Sequence, residues 1–287
     1  MRRLVMNLWD AWFGAAVAQV EADAERFRTS PVGKRPDWKT VWVLIVAAVS
    51  LTGQHFWQTA LHSLYNLILT ALDGSRSSHD DPVTDLGQSL GLPWELAHLL
   101  AFAGGCVFWY CVPAVLVIKL AFRERVRDYG VKLAGWSSGW KIYLVFVTVM
   151  LPLVLCFSAA REFQSIYPFY RGWSPETDGW GRLLIWEWHY ALQFVALEFF
   201  FRGFMVHGLK NRFGVYSVFV MTVPYCMIHF QKALPECVAS IIAGVALGLM
   251  SLKTRSVWLG AALHISVAWG MDTCSLWRKG LFAQFIA

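Results

Sequence analysis

Charged residues are scarce in this sequence, 15% of its positions, where ordinary soluble domains carry about 25%. So few charges cannot cover a water-exposed globular surface, which excludes a soluble domain as the main body of the chain. No C-x-x-C pair occurs. The six cysteines (Cys106, Cys111, Cys156, Cys226, Cys237 and Cys274) lie in or beside apolar stretches without regular spacing. They read as small buried hydrophobes, and neither a redox dithiol nor a disulfide framework is indicated. H-E-x-x-H and other tight ligand pairs are missing as well, so a metal would need ligands converging from separate helices. No internal repeat relates the two halves, and no pair of broken helices marks a transporter. The net charge is +6, yet the basic residues form no groove with interleaved aromatics, which argues against nucleic acid as a partner.

What the sequence has instead is apolar surface: 57% hydrophobic residues, with 16 Trp and 20 Phe among 287 positions. This is the composition of an all-α polytopic membrane bundle, since about 20 mainly apolar residues cross a bilayer as a helix. Counting between charges predicts about seven transmembrane helices, within a range of six to eight. They fall within 40–72, 96–118, 142–160, 183–209, 213–230, 237–252 and 256–271. Lys119, Arg123, Arg125, Arg127 and Lys132, then Lys210 and Arg212, then Lys253 and Arg255 mark the loops after the second, fourth and sixth spans as cytoplasmic. The N-terminus is then cytoplasmic too. The localisation this implies is an integral membrane protein.

Three segments follow from this layout. Residues 1–38 form an N-terminal cytoplasmic or interfacial segment, in which Leu4, Leu8, Trp12 and Ala15 share one face of an amphipathic helix. Residues 39–180 hold the first three transmembrane helices and their loops, and 181–287 form the helical core that carries the motifs. Ser240, Gly244 and Gly248 make a small-residue stripe on the sixth span, the mark of close helix packing.

The fourth span contains "ALEFFFRGF", which sets Glu198 and Arg202 one helical turn apart among four phenylalanines. A charge at the centre of a membrane helix costs about 2.5–3.5 kcal/mol on insertion scales, so such residues tend to line an interior site. Glu on the N-terminal side is the favourable order for an i, i+4 pair, and alone the two could be a self-neutralising brace. They are joined by His229 near the end of the fifth span and His264 midway along the seventh. Glu198 is then a candidate general base on a water, His229 a partner for that water, His264 a donor to the oxyanion, and Arg202 the residue that holds Glu198. Two histidines, one glutamate and a water also satisfy a catalytic zinc site. No cofactor is expected, with zinc kept as the alternative. Counted along straight helices from the cytoplasmic ends, Glu198 lies about 16 Å deep, His264 about 12 Å and His229 about 24 Å, with Pro224 able to kink the fifth helix.

In order and spacing these residues resemble the CAAX prenyl proteases of the Ras-converting type and their bacterial relatives, the CPBP or ABI membrane proteins. The family's E-E-x-x-x-R falls on Leu197 to Arg202, its F-x-x-x-H on Tyr225 to His229, and its H-x-x-x-N/D on His264 to Ala268. The resemblance implies a metal-independent, glutamate-type intramembrane endopeptidase acting on a membrane-associated protein or peptide. Two positions depart from it. Leu197 stands where the family has its usual water-activating Glu, so the role passes to Glu198 in a single-Glu "EFFFRG" form. Ala268 replaces the Asn or Asp of the third motif, and Asp272 and Glu236 are candidate compensations. Leu197 and Ala268 favour the other reading, a non-catalytic relative such as an immunity factor, a scaffold or a small-solute transporter. The basic "RERVRDYG" ahead of the third span also looks like bacterial members.

Overall fold

The computed structural model describes residues 10–73, 81–133 and 136–281. The fold is all-α, and no strand occurs among the described residues apart from one isolated bridge between Val131 and Ser256. Twelve α-helices are used below: α1 Ala15–Thr29, α2 Trp38–His55, α3 Trp57–Asp73, α4 Pro82–Ser89, α5 Trp94–Leu116, α6 Trp136–Phe157, α7 Arg161–Ile166, α8 Gly179–Glu198, α9 Val206–Phe213, α10 Tyr216–Met227, α11 Leu234–Thr254 and α12 Trp258–Arg278. A π-helical turn, Phe199–Met205, joins α8 to α9.

Each of the seven expected spans corresponds to helix. Among the described residues, four stretches are long and apolar enough to cross a membrane: Trp94–Ala121, Gly139–Phe157, Gly179–Phe213 and Leu234–Thr254. A fifth is the pair Trp38–His55 and Trp57–Leu67, bent by 66° at Phe56. The other two fall short for different reasons. Tyr216–Met227 is apolar but has only 12 residues, because Gly214 at φ +58 delays its start and a turn follows Met227. Trp258–Arg278 has the length, 21 residues, but includes His264, Asp272 and Arg278 and misses the apolarity. Leu4 and Leu8, half of the expected N-terminal interfacial face, lie outside the described residues.

The described chain divides into two compact units, one of residues 1–49, 111–147 and 195–263, the other of 50–110, 148–194 and 264–287. In the first unit, α10 and α11 pack through the small-residue stripe. A Cβ at Gly244 would crowd Thr222 and Tyr225, and one at Gly248 would crowd Val218, so glycine is what allows the two backbones to approach. The N-terminal helix docks on this unit through polar contacts. Glu21 accepts the Val215 N–H at 2.6 Å, just ahead of α10, an anion where the helix dipole favours one. Arg212 donates to the Gly33 carbonyl at 2.7 Å.

The "RERVRDYG" segment also lies on the first unit. Tyr129 is buried and donates to Glu124 at 2.6 Å, and Lys39 pairs with the same carboxylate at 2.7 Å. Burial and the Glu124 carboxylate both push the Tyr129 phenol well above its usual range, so it remains a donor. Gly130, at φ +82, accepts the Val257 N–H at 2.9 Å, and the Tyr129 carbonyl rests against Gly203, where a Cβ would collide with it. The segment is thereby fixed against the helix that carries Glu198 and Arg202.

In the second unit, Trp186, Tyr190, Phe169, Tyr170 and Trp173 build an aromatic cluster. The turn before α8 is organised by Asp178, which accepts from the Ser174 N–H, the Thr177 and Tyr170 hydroxyls, and Arg182 at 3.1 Å. Burial alone would raise the Asp178 carboxyl, but these donors outweigh it and hold the group below the usual carboxylate range. A carboxylate depressed in the folded state adds stability above its unfolded value, and that stability is lost as pH falls through the folded one. Thermal unfolding of the native protein should therefore drop by a few degrees on acidification through the carboxylate range. In Asp178→Asn that part of the pH dependence should be missing; equal pH slopes in both proteins would refute the assignment.

Candidate active site

Glu198 and Arg202 sit in the first unit, on consecutive turns of one continuous helix. Their side chains meet at 2.9 Å, and both are essentially buried, at 1% and 0% exposure. Phe199, Phe200, Phe201 and Phe204, their neighbours in the chain, are buried as well. Arg202 also lies flat over the Tyr225 ring, 3.8 Å from guanidinium carbon to centroid. A desolvated guanidinium on an aromatic face gains roughly 2 kcal/mol or more, and the planar fork is what permits an ion pair and a stack together.

The π-helical turn explains how so crowded a segment accommodates the pair. Widening a helix by one residue changes the direction of the side chains and displaces carbonyls from the i→i+4 ladder, and such turns are frequent at functional sites. Here the Arg202 carbonyl accepts the Ser251 hydroxyl at 3.2 Å from α11. Ser251 in turn meets His207 Nε2 at 3.1 Å, and Lys210 Nζ meets His207 Nδ1 at 3.2 Å. An ammonium only donates, so Nδ1 accepts and Nε2 carries the proton. The buried chain therefore runs in one direction, from Lys210 through His207 and Ser251 to the backbone of Arg202.

Gly260, near the start of α12, completes the carboxylate's surroundings. A Cβ there would overlap Glu198 Oε2, so the carboxylate rests on bare backbone on one side and faces Arg202 with its other oxygen. His229 is reached through Tyr225: the two rings are 4.9 Å apart edge to face, and His229 Nδ1 lies 2.8 Å from the Tyr225 carbonyl. That carbonyl can only accept, so Nδ1 holds a proton. His229 lies past the end of α10, in a turn beyond Pro224. This replaces the straight helix assumed in counting depth and brings the residue into the Tyr225 cluster.

Residues 179–270 match the family model described as Rce1-like, type II CAAX prenyl endopeptidase. The match covers just under a third of the chain and contains all three motifs, bearing out the resemblance read from them. Over that segment the chain is similar to a peptidase family of the CAAX-protease type, and its apolar helices make it an integral membrane protein. No curated protein and no solved structure matches the chain.

The remaining expected residues have the following surroundings. His264 begins the last segment of the second unit and stacks on Phe194, with centroids 5.4 Å apart and planes 6° from parallel. Ala268 is buried in that unit's aromatic core. Asp272 accepts the Phe169 N–H at 3.1 Å, so it anchors the segment before α8. Glu236, behind Pro235 at the start of α11, faces Lys232 at 3.8 Å, the arrangement of an acidic residue at a helix N-terminus. Among the described residues, no group of three or more His, Cys, Asp or Glu could hold a metal ion.

Sequence reasoning missed Gly260 and the Lys210–His207–Ser251 chain. Gly260 carries no local signal, as nothing in its neighbours indicates that a carboxylate will need the space. His207 lies five residues after Arg202 and faces α11, information that exists only in the packed structure.

Proposed function

We propose that this protein is an intramembrane endopeptidase of the CAAX-protease type that hydrolyses a peptide bond of a membrane-associated substrate with a water activated by Glu198. The observation that carries the reading is the buried Glu198–Arg202 pair, fitted against Gly260 and tied through Tyr225 to His229. A desolvated ion pair is a costly way to brace a helix, since apolar residues of similar volume usually serve as well or better. A carboxylate required for chemistry accounts for its retention.

In the proposed reaction the Glu198 carboxylate takes a proton from water as its oxygen attacks the scissile carbonyl carbon. His229, with its lone pair on Nε2, accepts the water's other hydrogen and orients it. The proton held by Glu198 then passes to the leaving amine as the tetrahedral intermediate collapses. Arg202 balances the charge of Glu198 and fixes its position. His264 enters as the oxyanion donor on its motif alone. No step passes through a metal. A cytoplasmic N-terminus, on the strength of the Lys and Arg in the short loops, and a bacterial inner membrane, on the resemblance to bacterial members of the family, complete the proposal.

The test compares membrane and secreted fractions from cells expressing the native protein or Glu198→Gln, reading new C-termini by mass spectrometry. Glu198→Gln should lower formation of those termini by at least roughly 10²–10⁴-fold, the usual contribution of a positioned base, with expression and folding retained. Identical fractions would refute the reading and favour the non-catalytic relative to which Leu197 and Ala268 point.

A further inference from the structure

At one end of the first unit, α1 closes over the ends of α9 and α11 and leaves a small cavity of about 100 Å³. Lys210, Lys253 and Arg255 line it together with Gln19, Asp23 and Asn211. Among the described residues no carboxylate stands within ion-pair distance of any of the three cations. Asp23, the one acid in the lining, is already matched to Arg26 at 2.7 Å and to Gln19 at 3.1 Å within its own helix. Neighbouring cations are neutralised locally: Lys39 pairs with Glu124, and Lys132 with Asp128 at 2.8 Å. Lys210 donates to neutral His207, and Lys253 lies 5.9 Å from the centre of the Phe13 ring. Arg255 reaches the cavity from a left-handed backbone, φ +51, a conformation that a residue other than glycine adopts at a cost. The cavity thus gathers three cations against a single carboxylate that is already paired within its own helix.

Its depth indicates where that anion comes from. Lys210 is three residues from the end of the stretch Gly179–Phe213, and Lys253 one residue from the end of Leu234–Thr254. The cavity therefore lies where two spanning helices leave the hydrocarbon, at the level of lipid headgroups. Basic pockets between helices at that level recognise headgroup phosphates by charge and hydrogen bonds. We infer that this cavity binds the phosphate group of an anionic phospholipid, held by Lys253 and Arg255 with Lys210 at its floor.

The experiment uses the full chain in nanodiscs of phosphatidylcholine with an increasing share of phosphatidylglycerol, and counts retained lipids by native mass spectrometry. One phosphatidylglycerol per protein should be retained over phosphatidylcholine. Lys253→Gln/Arg255→Gln should weaken that retention by roughly 10- to 30-fold. Asn211→Asp, which leaves all three cations in place and adds a negative charge to the lining, should weaken it as well. Retention unchanged in both variants, or equal for the two lipids, would overturn the inference. Competition separates the sources. Displacement by inorganic phosphate or glycerol phosphate at millimolar concentration would reject the lipid as occupant, whereas retention through that challenge supports it. Because the readout is binding, its outcome is independent of whether the protein cleaves peptides.

Discussion

Arg202→Leu should destabilise the protein by roughly 3–5 kcal/mol and abolish proteolysis, because it leaves the Glu198 carboxylate buried without its counter-charge. The expectation rests on three features: the 2.9 Å contact, near-zero exposure of both partners and the stack of the guanidinium on Tyr225. Arg202→Lys should recover part of the stability by restoring charge, but not the planar stack, and should remain well below native activity. The decisive comparison is the double variant Glu198→Leu/Arg202→Leu. With both charges removed the desolvation cost disappears, so it should unfold at or above the native temperature while being inactive. Thermal unfolding in detergent, followed by loss of helical signal, reads all three. If Arg202→Leu alone melts with the native protein, the pair is not desolvated as the structure has it.

The contrast between what the sequence revealed and what it concealed follows from the range over which each signal acts. Glu198 and Arg202 were legible because their relation is local: helix geometry puts i and i+4 together, and the cost of a membrane charge makes the pair conspicuous. The all-α architecture was legible for the same reason, since a long apolar run has few ways to satisfy its backbone in lipid other than as helix. Seven spans were counted from charge spacing, but charge spacing does not report where Gly214 delays a helix or that Phe56 is a bend of 66°. His229 was recognised as a motif residue, but its place in the turn after Met227, against the Tyr225 ring, is not written in the spacing of the motif. Asp272 and Glu236 were candidates on sequence distance from the histidines. Asp272 accepts the Phe169 N–H and Glu236 faces Lys232 at a helix start, relations that sequence distance does not encode.

Gly260→Ala should cost activity far more than stability, and the reason is steric. The added methyl group would occupy the position of Glu198 Oε2, which is flanked on its other side by Arg202. Glu198 cannot retreat from that methyl group without disturbing the ion pair. Overpacking of this kind typically costs 1–3 kcal/mol, whereas a displacement of about 1 Å in a catalytic group can cost about 100-fold in rate. Gly248→Ala is the matched control. Its Cβ would press on Val218 at 2.6 Å and Met221 at 3.3 Å, both apolar, on the packing stripe between α10 and α11. The two variants should lose similar stability, while only Gly260→Ala should lose cleavage by roughly 100-fold or more. Equal losses of cleavage in both would mean that the alanine acts through general loosening of the bundle and not through the carboxylate. Native cleavage by Gly260→Ala would place the attacking water away from Glu198 and so remove this residue from the role of base.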